Sequence, residues 1–219
     1  MSNIYVIIPS SGEGSRFGSS GPKQLHILND EPILIQTHNI FNIPEITAIF
    51  ISVNQTIKKN ITDLKLRFNS KSEILETGGN SRSETVLKTL IHVSAFAKSD
   101  DWIIVHDAVR PFLDQDTLKK FIKTIEATEF GGIMGFPVVE TVKLVDNNLR
   151  VSETIDRTKV WLAQTPQMFP FHLLKKALQE FKGIPTDECQ AIEALGYKPT
   201  IFMGDAKNIK ITYQKDLFI

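Results

Sequence analysis

Short apolar runs alternate with helix-like segments through most of this chain of 219 residues. The first run is Ile4–Ile8, and runs of the same kind occupy 48–53, 73–76 and 102–106. Helical patterns begin near Pro32, cover 57–68, start after Ser81, and cover 115–127. Alternation of this kind favours a mostly parallel sheet, because each helix carries the chain back to start the next strand in the same direction. The sequence therefore predicts an α/β fold with helices on both faces and ligands bound at the carboxyl ends of the strands.

The helix after Ser81 has the clearest start signal. Ser81 and Glu84 have the spacing of a capping box, in which the two side chains satisfy backbone N–H groups at the helix N-terminus. We expect Val86, Leu87, Leu90 and Ile91 on its buried face, and in the helix at 115–127 we expect Leu118, Phe121, Ile122 and Ile125 inward. Helices at 170–181 and 186–195 and strands at 200–203 and 209–212 complete the prediction.

The alternation breaks between about 136 and 160. Strand-like segments at 142–145 and 150–155 flank Asp146-Asn147-Asn148, a sequence typical of tight turns. An isolated hairpin is marginally stable in water, so it must pack on something. Either another subunit covers it, or it folds back on its own domain, and the pattern alone leaves both readings open. We expect no linker or second domain.

Composition excludes several classes of function. Lys plus Arg equals Asp plus Glu, 25 of each, so no broad basic surface for nucleic acid is expected. Cys189 is the single cysteine, which excludes an intrachain disulfide and favours a small apolar side chain over a catalytic thiol. The first strand-like run begins at residue 4 without a signal peptide, and no apolar run approaches the ~20 residues that span a bilayer. We expect a cytoplasmic protein with no membrane partner.

The loop after the first strand, residues 10–23, carries small residues, then Arg16 and Lys23. Glycines let backbone N–H groups approach an anion, and the two cations would neutralise it. The loop does not match the Rossmann or Walker A patterns of glycines and lysine. It is therefore either an ordinary strand-to-helix turn or an unusual phosphate site.

Polar residues also follow other strands: Gly78–Arg82 follows the third, His106–Pro111 follows the run at 102–106, and Asn208–Lys210 lies near the end. Each has a structural alternative. Asp107 and Arg110 could form a salt bridge, His106 fits a hydrogen-bonded structural histidine better than a base, and Lys210 alone would be a surface lysine. Taken together, they indicate polyphosphate chemistry with Mg²⁺, for which Asp107 is the best candidate ligand. No His/Cys ligand cluster for zinc is visible.

The ordered set of these motifs resembles the 2-C-methyl-D-erythritol 4-phosphate cytidylyltransferase family over nearly the whole chain. The blocks that carry the resemblance are Ser11-Gly12-x-Gly14-x-Arg16-x-Gly18 with Pro22-Lys23-Gln24, Gly78-Gly79 with Arg82, His106-Asp107-Ala108-x-Arg110-Pro111, Pro137 with Thr141-x-Lys143, Asp156-Arg157, Trp161-x-Ala163-Gln164-Thr165-Pro166-Gln167, Thr186-Asp187-Glu188, and Asn208-Ile209-Lys210-x-Thr212. The chain departs from the family at Ser10-Ser11, where two alanines are usual, at Phe17 and at Glu140.

The resemblance implies one Rossmann-like nucleotidyltransferase domain over 1–219, similar to nucleotide-diphospho-sugar transferases. A β-arm at about 138–158 would make it a homodimer. It implies CTP and a sugar-alcohol phosphate as substrates, with Mg²⁺ or another divalent cation. Its site residues would be Arg16 and Lys23 for catalysis; Ser10, Ser11, Gly12, Gly14, Gly79, Asn80, Thr85 and Ala108 for the nucleotide; Asp107, Arg110, Arg157, Thr165, Thr186 and Lys210 for the acceptor; and Asp107 for the metal.

The implied reaction is attack of an acceptor phosphate oxygen on the α-phosphate of CTP, with pyrophosphate leaving. Two alternatives stay open at this point. A ribitol-5-phosphate cytidylyltransferase shares most of the blocks, although Trp161, Thr141-Val142-Lys143 and Asn208-Ile209-Lys210 look more like the methylerythritol enzyme. A catalytically silent nucleotide-binding or regulatory protein is the alternative from another class, and loss of Arg16, Lys23 or Asp107 would indicate it. All three are present.

Overall fold

A computed structural model of the chain describes residues 2–12, 14, 17–18, 21–61 and 67–218. The strands are β1 (Ile4–Pro9), β2 (Ile27–Leu28), β3 (Glu31–Pro32), β4 (Ala48–Ser52), β5 (Ser72–Leu75), β6 (Trp102–Val105), β7 (Gly132–Pro137), β8 (Val142–Val145), β9 (Val151–Ile155), β10 (Trp161–Pro170) and β11 (Thr200–Met203). The helices are α1 (Ile33–Ile40), α2 (Gln55–Ile61), α3 (Arg82–Val93), α4 (Gln115–Glu126), α5 (Phe171–Glu180) and α6 (Glu188–Ala194).

A twisted sheet at the centre has the strand order β11-β7-β10-β6-β1-β4-β5. The pairs β1–β4, β1–β6, β4–β5 and β7–β11 are parallel. Among the described strands of this seven-stranded sheet, only β10 runs antiparallel to its neighbours, β6 and β7. The predicted mostly parallel sheet flanked by helices is therefore confirmed.

The uninterrupted apolar run of β1 reflects burial on both faces of the sheet. Ile4, Val6 and Ile8 pack into one core cluster, and Tyr5 and Ile7 pack into the cluster on the opposite face. A parallel strand covered by helices on both sides needs apolar residues at every position, whereas a half-exposed strand alternates.

The predicted helices are present, with differences at their ends and faces. In α4, the four residues expected inward are buried. In α3, Val86 and Leu90 are buried, but Ile91 is 55% exposed, and Thr85 and Thr89 lie inward instead because their hydroxyls are hydrogen-bonded there. The helix expected at 57–68 is described as Gln55–Ile61, and residues 62–66 lie outside the described part of the chain.

Two strands of the central sheet were not predicted, nor was the short β2–β3 pair, and one predicted strand is wrong. β7 and β10 fill the middle of the sheet, although their glycines and prolines weaken the sequence signal for strands. Residues 209–212 form no strand. Ile211 is buried and its N–H donates to the carbonyl of Val109, so the segment is held as irregular chain against the site.

The predicted hairpin is confirmed as β8 and β9, which form a separate two-stranded sheet. The Asp146 carboxylate closes its turn by accepting the N–H groups of Asn148 and Arg150. Nearly all hairpin residues are exposed. Across the described residues, no helix is both long and apolar enough to cross a membrane.

Candidate functional site

A cleft of about 580 Å³ opens where four parallel strands end. Its walls come from the chain after β1, β4, β5 and β6, which is the position that an open α/β sheet reserves for ligands. The described residues that line it are Pro9, Ser10, Ser11, Gly12, Gly14, Lys23, Gln24, Asn54, Gly79, Asn80, Ser81, Arg82, Asp107, Ala108, Val109, Lys210 and Thr212. The sequence-predicted candidates Ser10, Ser11, Gly12, Gly14, Lys23, Gly79, Asn80, Asp107, Ala108 and Lys210 are thus brought together.

The loop after β1 brings Lys23 to the cleft. Gly14 has φ +72°, and a Cβ there would lie 3.0–3.3 Å from the methylene carbons of Lys23, so glycine serves both the turn and the close approach. The Lys23 ammonium donates to the Ile211 carbonyl at 3.2 Å, which holds it beside the 208–212 segment. Arg16, the other predicted catalytic cation, lies outside the described residues.

The turn before α3 forms the neutral end of the cleft. Ser81 caps the helix by accepting the Glu84 N–H at 3.0 Å, as predicted, and the Glu84 carboxylate accepts from Asn80 N at 2.7 Å. Thr85 is fully buried behind this wall. Its hydroxyl donates to the Ser81 carbonyl and accepts from Gly79 N, both at 2.9 Å. Thr85 therefore holds the wall together from behind.

The Ser11 hydroxyl lies 2.9 Å from the Thr85 hydroxyl. Because the Thr85 proton is directed to a carbonyl, Ser11 is the donor in this pair. The contact joins the loop after β1 to the turn before α3, so the two walls of the cleft hold a fixed separation. Alanine at position 11 would lack this link.

Asp107 is the electrostatic centre of the cleft. Its Oδ1 accepts from Arg82 Nε at 2.8 Å, and its Oδ2 from Lys210 Nζ at 2.9 Å and from Arg110 Nε at 3.4 Å. Burial alone would raise the pKa of Asp107, but the three cations hold it well below its ordinary value. The carboxylate is therefore ionised and fixes three cations in place. The salt bridge between Asp107 and Arg110, one of the sequence-based readings, is present.

Two uncharged side chains, those of Thr165 and His106, form a hydrogen-bonded layer that supports the backbone of Asp107. The Thr165 hydroxyl accepts from Asp107 N and contacts His106 Nδ1, each at 3.1 Å, and His106 Nε2 faces the Arg110 carbonyl at 3.1 Å. A carbonyl can only accept, so Nε2 carries the proton and Nδ1 accepts from Thr165. Burial lowers the pKa of His106 to about 4. His106 is a neutral structural histidine, the reading favoured from the sequence.

A bulge in β10 aims Thr165 at this layer. The pairing of β10 with β7 shifts register between Ala163 and Gln167, which frees the intervening side chains from the ladder. Gln164 Nε2 then reaches the carbonyls of Asp205 and Asn208. Arg110 donates to the Asn208 carbonyl at 2.6 Å, so the bulge and the 205–208 turn jointly fix this arginine beneath the cleft.

Arg82 and Glu188 form an ion pair, although their sequence motifs indicated no such role for either residue. Glu188 is fully buried, and both its oxygens accept from Arg82 Nη1, at 2.6 and 2.8 Å. Burial raises the pKa of Glu188, and the adjacent Arg82 opposes that rise. Glu188 thus anchors the arginine that also binds Asp107. Asn54 and Gln24 were also missed, although their positions after β4 and beside Lys23 were available signals.

Two predicted residues lie away from the cleft of this chain. Arg157, at the base of the hairpin, is exposed and donates to the Val139 carbonyl. Thr186 is exposed before α6 and hydrogen-bonds the Gln190 side chain. Neither lines the cleft. Cys189 is buried, and burial raises the pKa of its thiol, in agreement with an apolar role.

The residues of the cleft suit a metal ion that is coordinated mainly by a bound phosphate ligand and only in part by the protein. Among the described residues, Asp107 is the only carboxylate lining the cleft, and no group of three His, Cys, Asp or Glu forms a cage. Three donors already contact its two oxygens, which have about four acceptor sites, so one further ligand is compatible. Mg²⁺ on a polyphosphate, with one protein carboxylate and water, fits this set, whereas a structural zinc ion does not.

The cleft therefore combines fixed cations at one end with neutral polar groups at the other. Lys23, Arg82 and Lys210 outnumber Asp107 there, although the chain has no net charge. Such a gradient accommodates a molecule with a phosphate chain and an uncharged polar portion. The described lining contains no His, Cys or Glu in the position of a general base.

Comparison with known proteins gives one consistent result. The family profile described as 2-C-methyl-D-erythritol 4-phosphate cytidylyltransferase matches residues 4–219. The curated protein of that name from Nitrosospira multiformis is 38% identical, covering 99% of this chain and 95% of its own length. A crystal structure of 4-diphosphocytidyl-2C-methyl-D-erythritol synthase superposes with TM-score 0.85 at 29% identity, covering 100% of this chain and 96% of its own. The Francisella tularensis cytidylyltransferase has TM-score 0.82 and 33% identity, with 99% and 97% covered.

Proposed function

The chain belongs to the 2-C-methyl-D-erythritol 4-phosphate cytidylyltransferase family, and from that premise we propose how its cleft performs the transfer of CMP from CTP to 2-C-methyl-D-erythritol 4-phosphate. The products are 4-diphosphocytidyl-2-C-methyl-D-erythritol and pyrophosphate, in isoprenoid biosynthesis by the non-mevalonate route. The observation that carries the mechanism is Asp107, which fixes three cations around one end of the cleft.

The triphosphate of CTP occupies the cationic end, and the nucleoside lies towards Ser11, Gly79 and Asn80. Arg82 supports this placement, because its Nη2 is a buried donor with no partner among the described residues. A buried donor without a partner is costly unless a ligand satisfies it. Lys23 and Lys210 neutralise charge at the α-phosphate, and Arg16 is assigned to the same task from the family motif.

The acceptor carries its own nucleophile. A phosphomonoester has its second pKa near ~6, so it is largely dianionic at neutral pH and needs no general base. This agrees with a described lining that offers cations and one ionised carboxylate. Catalysis then depends on alignment of the acceptor oxygen with the α-phosphate and on fixed positive charge. A divalent cation bound by the phosphates and Asp107 would draw the two anions together.

The hairpin supports a homodimer. Val139, Leu149 and Val151 are 60%, 82% and 62% exposed, and Leu162 at the start of β10 is 58% exposed. Exposed apolar side chains on and beside a two-stranded sheet need cover, and a second copy of the chain supplies it symmetrically. In the dimer, Arg157 reaches the acceptor phosphate in the partner's cleft, and Thr186 approaches the acceptor in its own subunit.

Steady-state pyrophosphate release with two acceptors tests the proposal. Metal-stripped protein is assayed with CTP and either methylerythritol phosphate or ribitol 5-phosphate, with and without Mg²⁺. We expect kcat/KM to be higher for methylerythritol phosphate and activity to require the metal. A higher value for ribitol phosphate would reassign the acceptor. If no divalent cation supports turnover, the protein is a catalytically silent nucleotide-binding protein.

A further inference from the structure

Gln24 has an arrangement that the reaction as described does not use. It is 2% exposed and follows Lys23 in a single 3₁₀ turn. Its side-chain nitrogen Nε2 donates to the carbonyl of Ser10 at 2.8 Å and to that of Gly12 at 3.2 Å. Both amide protons are therefore directed at the backbone of the loop that follows β1.

Asn54 binds the carbonyl between these two. Its Nδ2 donates to the Ser11 carbonyl at 3.0 Å, while its Oδ1 accepts from Ile57 N at 2.8 Å and caps α2. The capping bond fixes which way the amide points, so Nδ2 must face the loop. Three consecutive carbonyls of the loop are thus held by the side-chain amides of Gln24 and Asn54.

The direction of these carbonyls determines what the loop offers to a ligand. In a trans peptide unit the C=O of one residue and the N–H of the next point in opposite directions. Holding the carbonyls of Ser10 and Ser11 against the two amides therefore turns the N–H groups of Ser11 and Gly12 away from those amides. A carbonyl oxygen facing a phosphate would repel it, whereas an N–H would bind it.

We propose that Gln24 is a positioning residue for polyphosphate binding, with Asn54 as its counterpart. It keeps the loop carbonyls out of the anion's space, so that the backbone N–H groups and Lys23 face the phosphates together. The identity of the ligand as CTP rests on the proposed function. The positioning role requires only that the loop binds a polyphosphate.

The chain contains a matched control for this role. Gln36 in α1 also donates through Nε2 to two backbone carbonyls, those of Leu28 and Glu31. This bridge closes the turn between β2 and β3, and none of the three residues lines the cleft. Gln36→Met and Gln24→Met therefore each remove two hydrogen bonds from a glutamine amide to backbone carbonyls. The bonds of Gln36 lie outside the cleft, whereas those of Gln24 lie at the loop that lines it.

The experiment compares Gln24→Met, Asn54→Ser and Gln36→Met with the wild type. Serine retains the helix cap at position 54 and removes the donor to Ser11, without adding charge. We expect KM and Kd for CTP to rise about tenfold or more in the first two variants, because each loses hydrogen bonds that orient the anion site. Their KM for methylerythritol phosphate should stay within about threefold of wild type, because the loop is not in contact with the acceptor in this account. Gln36→Met should lose thermal stability but keep its KM for CTP.

Unchanged CTP affinity in both cleft variants would overturn the proposal and leave Gln24 a structural residue like Gln36. If Gln24→Met does not fold, Asn54→Ser decides. If wild type shows no transferase activity, the proposed function fails, and calorimetry with inorganic tripolyphosphate then tests the positioning role through Kd alone. A wild type that binds neither CTP nor tripolyphosphate would contradict this inference as well.

Discussion

At the scale of single residues, the site depends on the contrast between an ionised Asp107 and a neutral His106 that are adjacent in sequence. Asp107 is surrounded by three cations, whereas His106 is enclosed by a carbonyl and a hydroxyl. The charged residue organises the cleft, and the neutral one fixes the backbone that carries it. Both residue types were visible in the motif, but only their environments assign the two roles.

The buried His106 makes stability dependent on pH in a predictable direction. Its pKa is about 4 in the folded chain and ~6.5 when exposed, so the unfolded chain binds more protons between these values. The stabilisation is complete above pH ~6.5 and is lost as pH falls towards 4, by roughly 3 kcal/mol. The measurement is denaturant unfolding of wild type at intervals from pH 7 to pH 4.

His106→Gln is the control, because a glutamine amide can donate to Arg110 O and accept from Thr165 without titrating. Asp107, Arg110 and Arg82 face this position in both proteins, so their contributions cancel in the comparison. We expect the variant to have a flatter dependence on pH over this window. Parallel curves for the two proteins would contradict a neutral buried His106.

At the scale of elements, much of the cleft could be predicted because its residues directly follow the ends of parallel strands. The chain after β1, β5 and β6 supplies Ser10–Gly12 with Gly14, Gly79–Arg82 and Asp107–Ala108, and parallel strands bring such ends together. Lys210 and Asp107 are 103 positions apart in the sequence, and their contact follows from the family motif and not from local pattern.

Each feature that the sequence did not predict correctly has an identifiable physical reason. β10 contains two prolines, and β7 contains two glycines, which are residues that local rules exclude from strands. Tertiary pairing in the middle of the sheet overrides these preferences. The 209–212 segment alternates like a strand, but it is bound to Val109 and Lys23 as part of the site. Glu188 was not assigned a role because its partner Arg82 is distant in sequence.

The hairpin formed by β8 and β9 gives a prediction about subunit cooperation. Lys23→Ala should lower kcat by about 10²–10³-fold, since it removes one fixed charge from the transition state. Arg157→Ala should be similarly inactive if it acts in the partner's cleft. In a mixed dimer of the two variants, one cleft carries both changes and the other carries neither. Random assortment should therefore restore about one quarter of wild-type activity in a symmetric dimer.

Co-expression of the two variants with different tags, followed by assay of the purified mixture, provides the measurement. Circular dichroism of each variant checks that the loss is not unfolding. Confirmed mixed dimers without recovered activity would place Arg157 in its own subunit's site. If sedimentation shows a monomer, the proposal that a second copy of the chain covers the exposed hairpin residues is wrong.

At the scale of the whole molecule, the sequence, the sheet order and the family comparison agree from residue 4 onwards. The chain has no net charge, yet the described cleft lining is cationic, so binding depends on local placement and not on a general field. The central claim is that the acceptor's phosphate oxygen attacks the α-phosphate of CTP within this cleft.

Isotope transfer tests that claim most directly. The enzyme is supplied with CTP and methylerythritol phosphate labelled with ¹⁸O at the non-bridging phosphate oxygens, and both products are analysed by mass spectrometry. Attack by the acceptor phosphate breaks only the bond between the α-phosphorus and the leaving pyrophosphate. We predict full retention of the label in the diphosphocytidyl product and unlabelled pyrophosphate. Label in the pyrophosphate, or loss of label from the cytidylyl product, would contradict the account.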